Sequence, residues 1–404
     1  MADSPPPLGR SFRFLTAAQF LTVFNDNAFK QTVLKLALAS SVLGGDPQAR
    51  AGLVFALPFL LFAVLAGDLA DRVSKRTVVL AAKWAEVGVM LLAAAALGLG
   101  SLPLGLAALF LMGAQSAFLG PAKYGLLPEL VPDPQLSRAN GVFQASVVAG
   151  IVIGTGCIDF VRVALGPRLW LAPLGFALLA FLGALLARGI EPVPAADPDR
   201  RLRLDPFARL RAGLRRAATV PGLRRAMFGR ALFYHAGAVL LFAWNEMGER
   251  LLEVDPRWWT AGLGALTLAM GLGSWLAGRL SGGAPRPGFA VLGAVAMGTG
   301  FLAAGLGPRS PGFVLAVMLA ANAFSGFYLV PLMTLGQQLP PPADRGRIQG
   351  ACQMLDWIGI VAASLAKEAM TRFGLDALDV LVVLGLEFLL AAALLQRGSA
   401  RIRT

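Results

Sequence analysis

Long apolar stretches alternate with short polar breaks along nearly the whole chain. Twelve stretches reach the length a helix needs to cross a bilayer, at about 14–40, 50–70, 77–98, 102–121, 139–164, 168–188, 227–250, 259–280, 286–306, 311–335, 347–371 and 376–396. One break is long. Residues 189–226 carry Pro192, Pro194, Pro198 and Pro206 and an arginine cluster from Arg200 to Arg225. The pattern predicts an all-α integral membrane protein: a first six-helix bundle over 1–188, a basic linker over 189–226 and a second six-helix bundle over 227–404. Inside the first span stands a polar run, Asn25-Asp26-Asn27, followed by Lys30. At ~1.5 Å per residue, Asp26 lies roughly 18 Å into the span, near the middle of a ~30 Å hydrocarbon core. A carboxylate there costs a few kcal/mol unless it pairs or faces water, so the run predicts a polar pathway.

Composition agrees. The 404 residues are 56% hydrophobic and 15% charged, with a mean hydropathy of +0.67; a soluble domain averages about 25% charged. Cys157 and Cys352 both fall in apolar segments and suggest neither a disulfide framework nor a metal site. Met1 to Arg10 is polar and the apolar run after it is too long for a leader peptide, so the first span is expected to act as its own insertion signal. The net charge of +13 would suggest nucleic acid in a soluble protein. Here the cations sort by side. One set of loops holds Arg10, Arg13, Arg72, Lys75, Arg76, Lys123, Arg138, the central arginines, Arg279, Arg286, Arg345, Arg347 and Arg397, and the opposite loops hold few. The positive-inside rule then places both termini in the cytoplasm, with contacts to anionic membrane lipids and no nucleic-acid partner.

The halves repeat. A shift of 209 residues lays Arg138, Gly141, Gln144 and Gly150 on Arg347, Gly350, Gln353 and Gly359. The same shift lays Asp26 on His235, so the two are expected at similar depth on one cavity.

Between the second and third spans runs Gly67-Asp68-Leu69-Ala70-Asp71-Arg72-Val73-Ser74-Lys75-Arg76. It resembles the signature loop of the major facilitator superfamily, with Ser74 where glycine is usual. Asp71 can cap or pair with basic groups near a neighbouring helix end, and Asp71 and Arg72 are expected to serve gating. The second-half counterpart, Ala277-Gly278-Arg279-Leu280, lacks the aspartate. Gln19-Phe20-Leu21, Asn25-Asp26-Asn27-Ala28, Gly120-Pro121-Ala122-Lys123-Tyr124-Gly125 and Arg138-Ala139-Asn140-Gly141 narrow the likeness. Together they resemble the bacterial lysophospholipid transporter family, and the Asn-Asp-Asn-x-x-Lys form is similar to transporter modules fused to lipid acyltransferases. The resemblance implies the major facilitator fold and inward flipping of lysophosphatidylethanolamine-like lipids across the bacterial inner membrane. It implies alternating access by a monomer, with a cytoplasmic acyltransferase as partner and no cofactor.

The residues suit that chemistry. Asp26 and Lys30 are i, i+4 on one helix face. Either they form a structural pair, or Asp26 holds a head-group ammonium while Lys30 or Lys123 holds the phosphate. Asn25 and Asn27 add neutral hydrogen bonds, and Gln144, Gln353 and Asp356 are expected to face the same cavity. His235 is read either as a proton-linked gate or as a hydrogen-bonded helix residue, and Glu246 as an outer gate. Lys83 and Glu86, i, i+3, read as a structural pair, and Trp258 and Trp259 as aromatic-belt anchors. A drug or small-metabolite exporter of the same fold, proton-coupled in one version, stays open as the alternative. An enzyme is disfavoured: position five after His235 is Leu240, not the aspartate a His-x4-Asp acyltransferase needs, and no P-loop, dinucleotide fingerprint or metal-binding histidine cluster appears.

Overall fold

The computed structural model describes residues 8–39, 47–200, 202, 205–282 and 285–399. They are helical almost throughout. The first six helices are α1 (Arg10–Ala39), α2 (Pro47–Arg72), α3 (Lys75–Gly98), α4 (Leu102–Leu130), α5 (Asp133–Leu165) and α6 (Ala172–Arg188). A shorter α7 (Pro206–Ala218) follows. Then come α8 (Leu223–Glu246), α9 (Pro256–Leu280), α10 (Pro287–Leu306), α11 (Pro311–Gln338), α12 (Arg345–Arg372) and α13 (Ala377–Ser399). Helix starts follow local chemistry. Proline opens α10 and α11, where its missing N–H costs nothing, and the Ser101 hydroxyl accepts from Leu104 N–H at the start of α4.

Ten stretches of the described residues are long and apolar enough to cross a membrane. The stretch Asp133–Arg188 counts once, although a 3-10 turn at Gly166–Leu171 divides α5 from α6. Helix α1, which carries Gln19, Asn25, Asp26, Asn27 and Lys30, is not among the ten.

The basic linker is more structured than its proline and arginine content predicts. Asp205 Oδ1 accepts from the N–H groups of Phe207 and Ala208, each at 2.9 Å, and so caps α7. Helix α7 buries Arg209, Leu210 and Ala217 and exposes Arg211, Arg215 and Arg216.

The chain divides into two compact units. The first holds α1 to α4, α5 from Ala149, α6, the linker to Gly213, and Pro341–Met354, the start of α12. Its apolar centre packs Phe29, Val33, Met90, Leu109, Met112 and Phe176. Beside it lies a buried polar network. Lys83 Nζ meets Glu86 Oε2 at 2.6 Å, and Thr22 and Asn25 both donate to the same carboxylate. The second unit holds Asp133–Val148, Leu214–Pro340 and Leu355–Thr404. Tyr328 and Phe301 pack edge-on against Phe388 at ring distances of 5.3 and 5.7 Å. Trp244 and Trp259 stack at 4.1 Å, and each indole N–H donates to the other's backbone carbonyl. Trp258 is exposed as an interfacial anchor would be, but Trp259 is 6% exposed: its ring is taken up by Trp244.

Glycine sets the closest helix approaches in both units. A Cβ at Gly67 of α2 would collide with the Gly346 carbonyl, and one at Gly350 would stand 2.6 Å from the Ala63 carbonyl. In the second unit, a Cβ at Gly141 of α5 would stand 2.5 Å from the Ser274 carbonyl of α9, with Gly278 beside it. Gly141 and Gly350 are the positions that the 209-residue shift superposes, so the repeat recurs as a packing motif.

The Lys83–Glu86 network generates a stability test. Lys83→Met should leave Glu86 buried without its cation and cost about 3–5 kcal/mol. Lys83→Met/Glu86→Leu should recover part of that loss. Thermal unfolding followed by size-exclusion chromatography of the purified variants checks it; single and double variants both melting with the wild type would remove the pair from the stability of this bundle.

Candidate functional site

Two polar centres stand out in the first unit, one inside the spans and one at the loop between α2 and α3.

The inner centre is built on α1 and α4. Ser116 Oγ donates to Asp26 Oδ2 at 2.6 Å, Gln115 Nε2 reaches Asp26 Oδ1 at 3.5 Å, and Gln115 Nε2 also donates to Ser116 Oγ at 2.8 Å. One helical turn further, Lys30 Nζ donates to Asn27 Oδ1 at 3.2 Å and lies 5.5 Å from the centre of the Phe55 ring. Lys30 and Lys123 are within electrostatic reach of Asp26, yet the hydrogen bonds to its carboxylate come from a neutral hydroxyl and a neutral amide. Lys123, at the far end of α4, lies 5.2 Å from the Tyr124 ring centre. Gln353 joins from the start of α12, donating to the Ala117 carbonyl at 3.3 Å beside Gly120, where a Cβ would collide with its amide. Asp26, Gln115, Ser116 and Gln353 therefore line one polar seam along α4, while Lys30 and Asn27 pair one turn along α1 beside Phe55 of α2. Asn25 does not join the seam. Its amide donates to Glu86 Oε1 at 2.8 Å and to the Phe176 carbonyl at 3.0 Å, so it belongs to the buried Lys83–Glu86 network.

The outer centre is the signature loop. Asp71 accepts from the backbone N–H of Gly346 at 2.6 Å and of Arg347 at 2.8 Å. These are orphan donors in the first turn of α12, and an anion there also meets the positive end of the helix dipole. Lys75 is fully buried and pairs with Glu129 at 2.6 Å, while Arg76 donates to the Arg188 and Ile190 carbonyls at the end of α6. Arg72 is exposed. From the linker, Arg200 reaches Asp71 at 3.4 Å, Asp68 at 3.6 Å, Asp197 at 3.0 Å and Asp344 at 3.3 Å, and it donates to the Ala343 carbonyl. Arg209 of α7 lies 3.4 Å from Asp68. Burial alone would lower the Arg200 pKa, but Asp71, then Asp344, Asp68 and Asp197, outweigh it and hold the guanidinium above its ordinary value.

The remaining candidates sit in the second unit. Asp356 is held by Arg230, whose Nε donates to Oδ2 at 2.9 Å and to Oδ1 at 3.3 Å and whose Nη2 donates to Oδ2 as well. His235 Nδ1 lies 3.0 Å from the Gly359 carbonyl. Glu246 pairs with Lys367 at 2.7 Å. Gln144 is 4% exposed, and its Oε1 has no hydrogen-bond partner among the described residues. Asn140 and Gln337 exchange reciprocal amide bonds at 2.7 and 3.1 Å, and Asn140 also donates to Thr334 at 3.1 Å.

Sequence reasoning missed the donors to Asp26, although the polar pair Gln115-Ser116 inside an apolar helix was a signal for them. Arg230 was also missed; a guanidinium in the seventh apolar segment needs an acid, and Asp356 is the acid within reach. Arg200 had no local signal, since eight other linker arginines share its surroundings.

The family model described as Major Facilitator Superfamily matches residues 15–364. The chain belongs to this superfamily. A protein named lysophospholipid transporter LplT from Cronobacter sakazakii is 32% identical over 251 residues, which cover 60% of this chain and 60% of that protein. An Enterobacter protein of the same name is 31% identical over 233 residues, 56% of this chain and 55% of its own length. Each alignment thus spans less than two thirds of the relative. The human organic anion transporter MFSD10 (TETRAN) has a similar fold, with a TM-score of 0.76 at 16% identity over 97% of this chain and 100% of that one. This facilitator is therefore a multi-pass membrane protein whose relatives and fold neighbours are transporters.

The native thiol Cys352 reports on the outer centre, because it is 1% exposed on α12 a short way beyond Gly346. Hydrogen bonds to a charged group contribute about 1.5–3 kcal/mol each, and a change of about 1.4 kcal/mol is tenfold in an equilibrium. In a Cys157→Ser background, Asp71→Asn and Arg200→Gln should each raise maleimide labelling of Cys352 about tenfold or more. Labelling rates equal to the parent in both variants would dismiss this centre as a restraint on α12.

Proposed function

We propose that this facilitator carries lysophospholipids across the inner membrane of a bacterial cell, toward the cytoplasm, and has no enzymatic activity of its own. In this reading twelve spans form bundles over 1–188 and 227–404, joined by a cytoplasmic linker over 189–226, with both termini cytoplasmic. The observation that carries the reading is the hydrogen bonding of Asp26. Its partners Ser116 and Gln115 are neutral, so among the described residues no cation stands at hydrogen-bond distance from the carboxylate, and that place is left to a cationic ligand group. A lysophosphatidylethanolamine head group presents an ammonium and a phosphate a few atoms apart. Asp26 takes the ammonium, Lys30 or Lys123 the phosphate, and Asn27 and Gln353 supply neutral contacts. The relatives named lysophospholipid transporter support the substrate class, over the 55–60% of their length that aligns.

Transport proceeds by alternating access of the two halves. Asp71, with Arg200, holds the first turn of α12 in one state and releases it in the other. A delivered lysolipid leaves the equilibrium once a cytoplasmic acyltransferase reacylates it, which supplies direction without a bound cofactor.

The test is lysophosphatidylethanolamine binding by the purified protein, beside lysolipid uptake in spheroplasts. Asp26→Asn should weaken binding by about tenfold or more, the loss of one charge-assisted contact. Lys30→Gln and Lys123→Gln should separate the two phosphate candidates, with the larger loss marking the contact. Unchanged binding in all three variants removes this site. Equal affinity for unrelated apolar cations would favour an exporter instead.

A further inference from the structure

A cavity lies in the second unit, lined by none of the residues of the centre around Asp26. It has a volume of about 830 Å³, within the range of ligand sites, and it opens where the linker meets α8. Its lining divides by chemistry. Phe228, Leu232, Leu394 and Leu395, from α8 and α13, make one wall apolar, and Arg224, Arg225 and Arg397 stand at the helix ends. Among the described residues, no carboxylate lines the cavity. The three arginines are exposed and make no ion pair among the described residues. Gly222, with φ +81°, turns the chain into α8, so the positive end of that helix adds to the same field.

An apolar wall that ends in three cations, with no acid to hold an ammonium, fits an anionic lipid and disfavours a zwitterionic one. Basic pockets between helices on the cytoplasmic side of membrane proteins take such head groups. We infer that this cavity binds an anionic diacyl phospholipid of the cytoplasmic leaflet, with its phosphate on Arg224, Arg225 and Arg397 and an acyl chain along Phe228, Leu232 and Leu395. The inference uses the orientation proposed above but not the transported substrate. The lipid would join the start of α8 to the end of α13, and through Val220 and Pro221 it would touch the linker. Membrane composition would then act on the carrier at a place other than its substrate site.

The experiment is native mass spectrometry of the purified, delipidated full chain, titrated with phosphatidylglycerol, phosphatidylethanolamine, lysophosphatidylethanolamine or glycerol phosphate. Phosphatidylglycerol should give a saturable adduct. Arg224→Gln/Arg225→Gln/Arg397→Gln should weaken it about tenfold or more, the corresponding triple lysine variant should retain it, and Leu395→Trp, which fills the apolar wall, should also weaken it. Lysophosphatidylethanolamine should still bind the triple glutamine variant, which keeps this result distinct from failure at Asp26. Equal phosphatidylglycerol binding by the wild type and the triple glutamine variant overturns the inference. So does displacement of phosphatidylglycerol by glycerol phosphate at equal concentration, which would mark a phosphate site without a lipid, or by lysophosphatidylethanolamine, which would mark a substrate site.

Discussion

A charge that leaves water must find its partner inside the protein, and the polar architecture of this chain follows from that constraint. Lys83 has Glu86, Arg230 has Asp356, and Lys367 has Glu246. Each pair joins residues in the apolar helices, and each carboxylate faces a cation at hydrogen-bond distance. Asp26 differs. Its carboxylate lies among a serine hydroxyl, a glutamine amide and more distant lysines. Neutral donors soften the cost of burial without cancelling the charge. A carboxylate held this way can be approached by a cation without first breaking an ion pair.

The same constraint shapes the loop between α2 and α3. Its residues close the ends of three helices. Asp71 satisfies the first-turn N–H groups of α12, Arg76 satisfies the last carbonyls of α6, and Lys75 neutralises Glu129 near the end of α4. Backbone groups at helix ends have no intrahelical partners, so a short charged loop can anchor several helices at once. The approach is close enough for this only because Gly67 and Gly350 remove side chains from the contact between α2 and α12. Arg200 then gathers Asp68, Asp71, Asp197 and Asp344 around one guanidinium, which makes the linker part of the centre and more than a tether.

Local patterns in the chain explain why some of this is legible in the sequence and some is not. Apolar length announces helices, and the signature loop carries enough spacing to point to the superfamily and to set Asp71 against a neighbouring helix end. The i, i+3 spacing of Lys83 and Glu86 declares their pairing, because both residues lie on one helix face. Partners from other helices leave no such trace. Nothing near Asn25 indicates that Glu86 and the Phe176 carbonyl will take its amide, and the polar pair Gln115-Ser116 marks a donor without naming Asp26 as its acceptor. The i, i+4 spacing of Asp26 and Lys30 suggests a pair, but Lys30 turns to Asn27, a neighbour at i−3. Helix α7 is hidden for another reason: prolines and arginines read as linker, while the Asp205 cap and the buried Leu210 and Ala217 that make it a helix are a weak signal among so many cations.

The repeat sharpens what the lost aspartate means. In the first unit, Gly67 and Gly350 bring α2 onto the start of α12, and Asp71 caps that start. In the second unit, Gly278 and Gly141 bring α9 onto the start of α5, but Leu280 stands where the aspartate would be. Helix α5 has its own Asp133 in the first turn, and nearby Asn140 is bound to Gln337 and Thr334 through neutral amide and hydroxyl groups. Hydrogen bonds to an ionised group are roughly twice as strong as neutral ones. The α2–α12 contact is therefore held by charge as well as by glycine packing, whereas Asn140 of α5 bonds to α11 and the described α9–α5 approach rests on its glycines. Loosening an approach made by glycine packing strands no buried charge, whereas separating Asp71 from the first turn of α12 would leave its carboxylate without its donors.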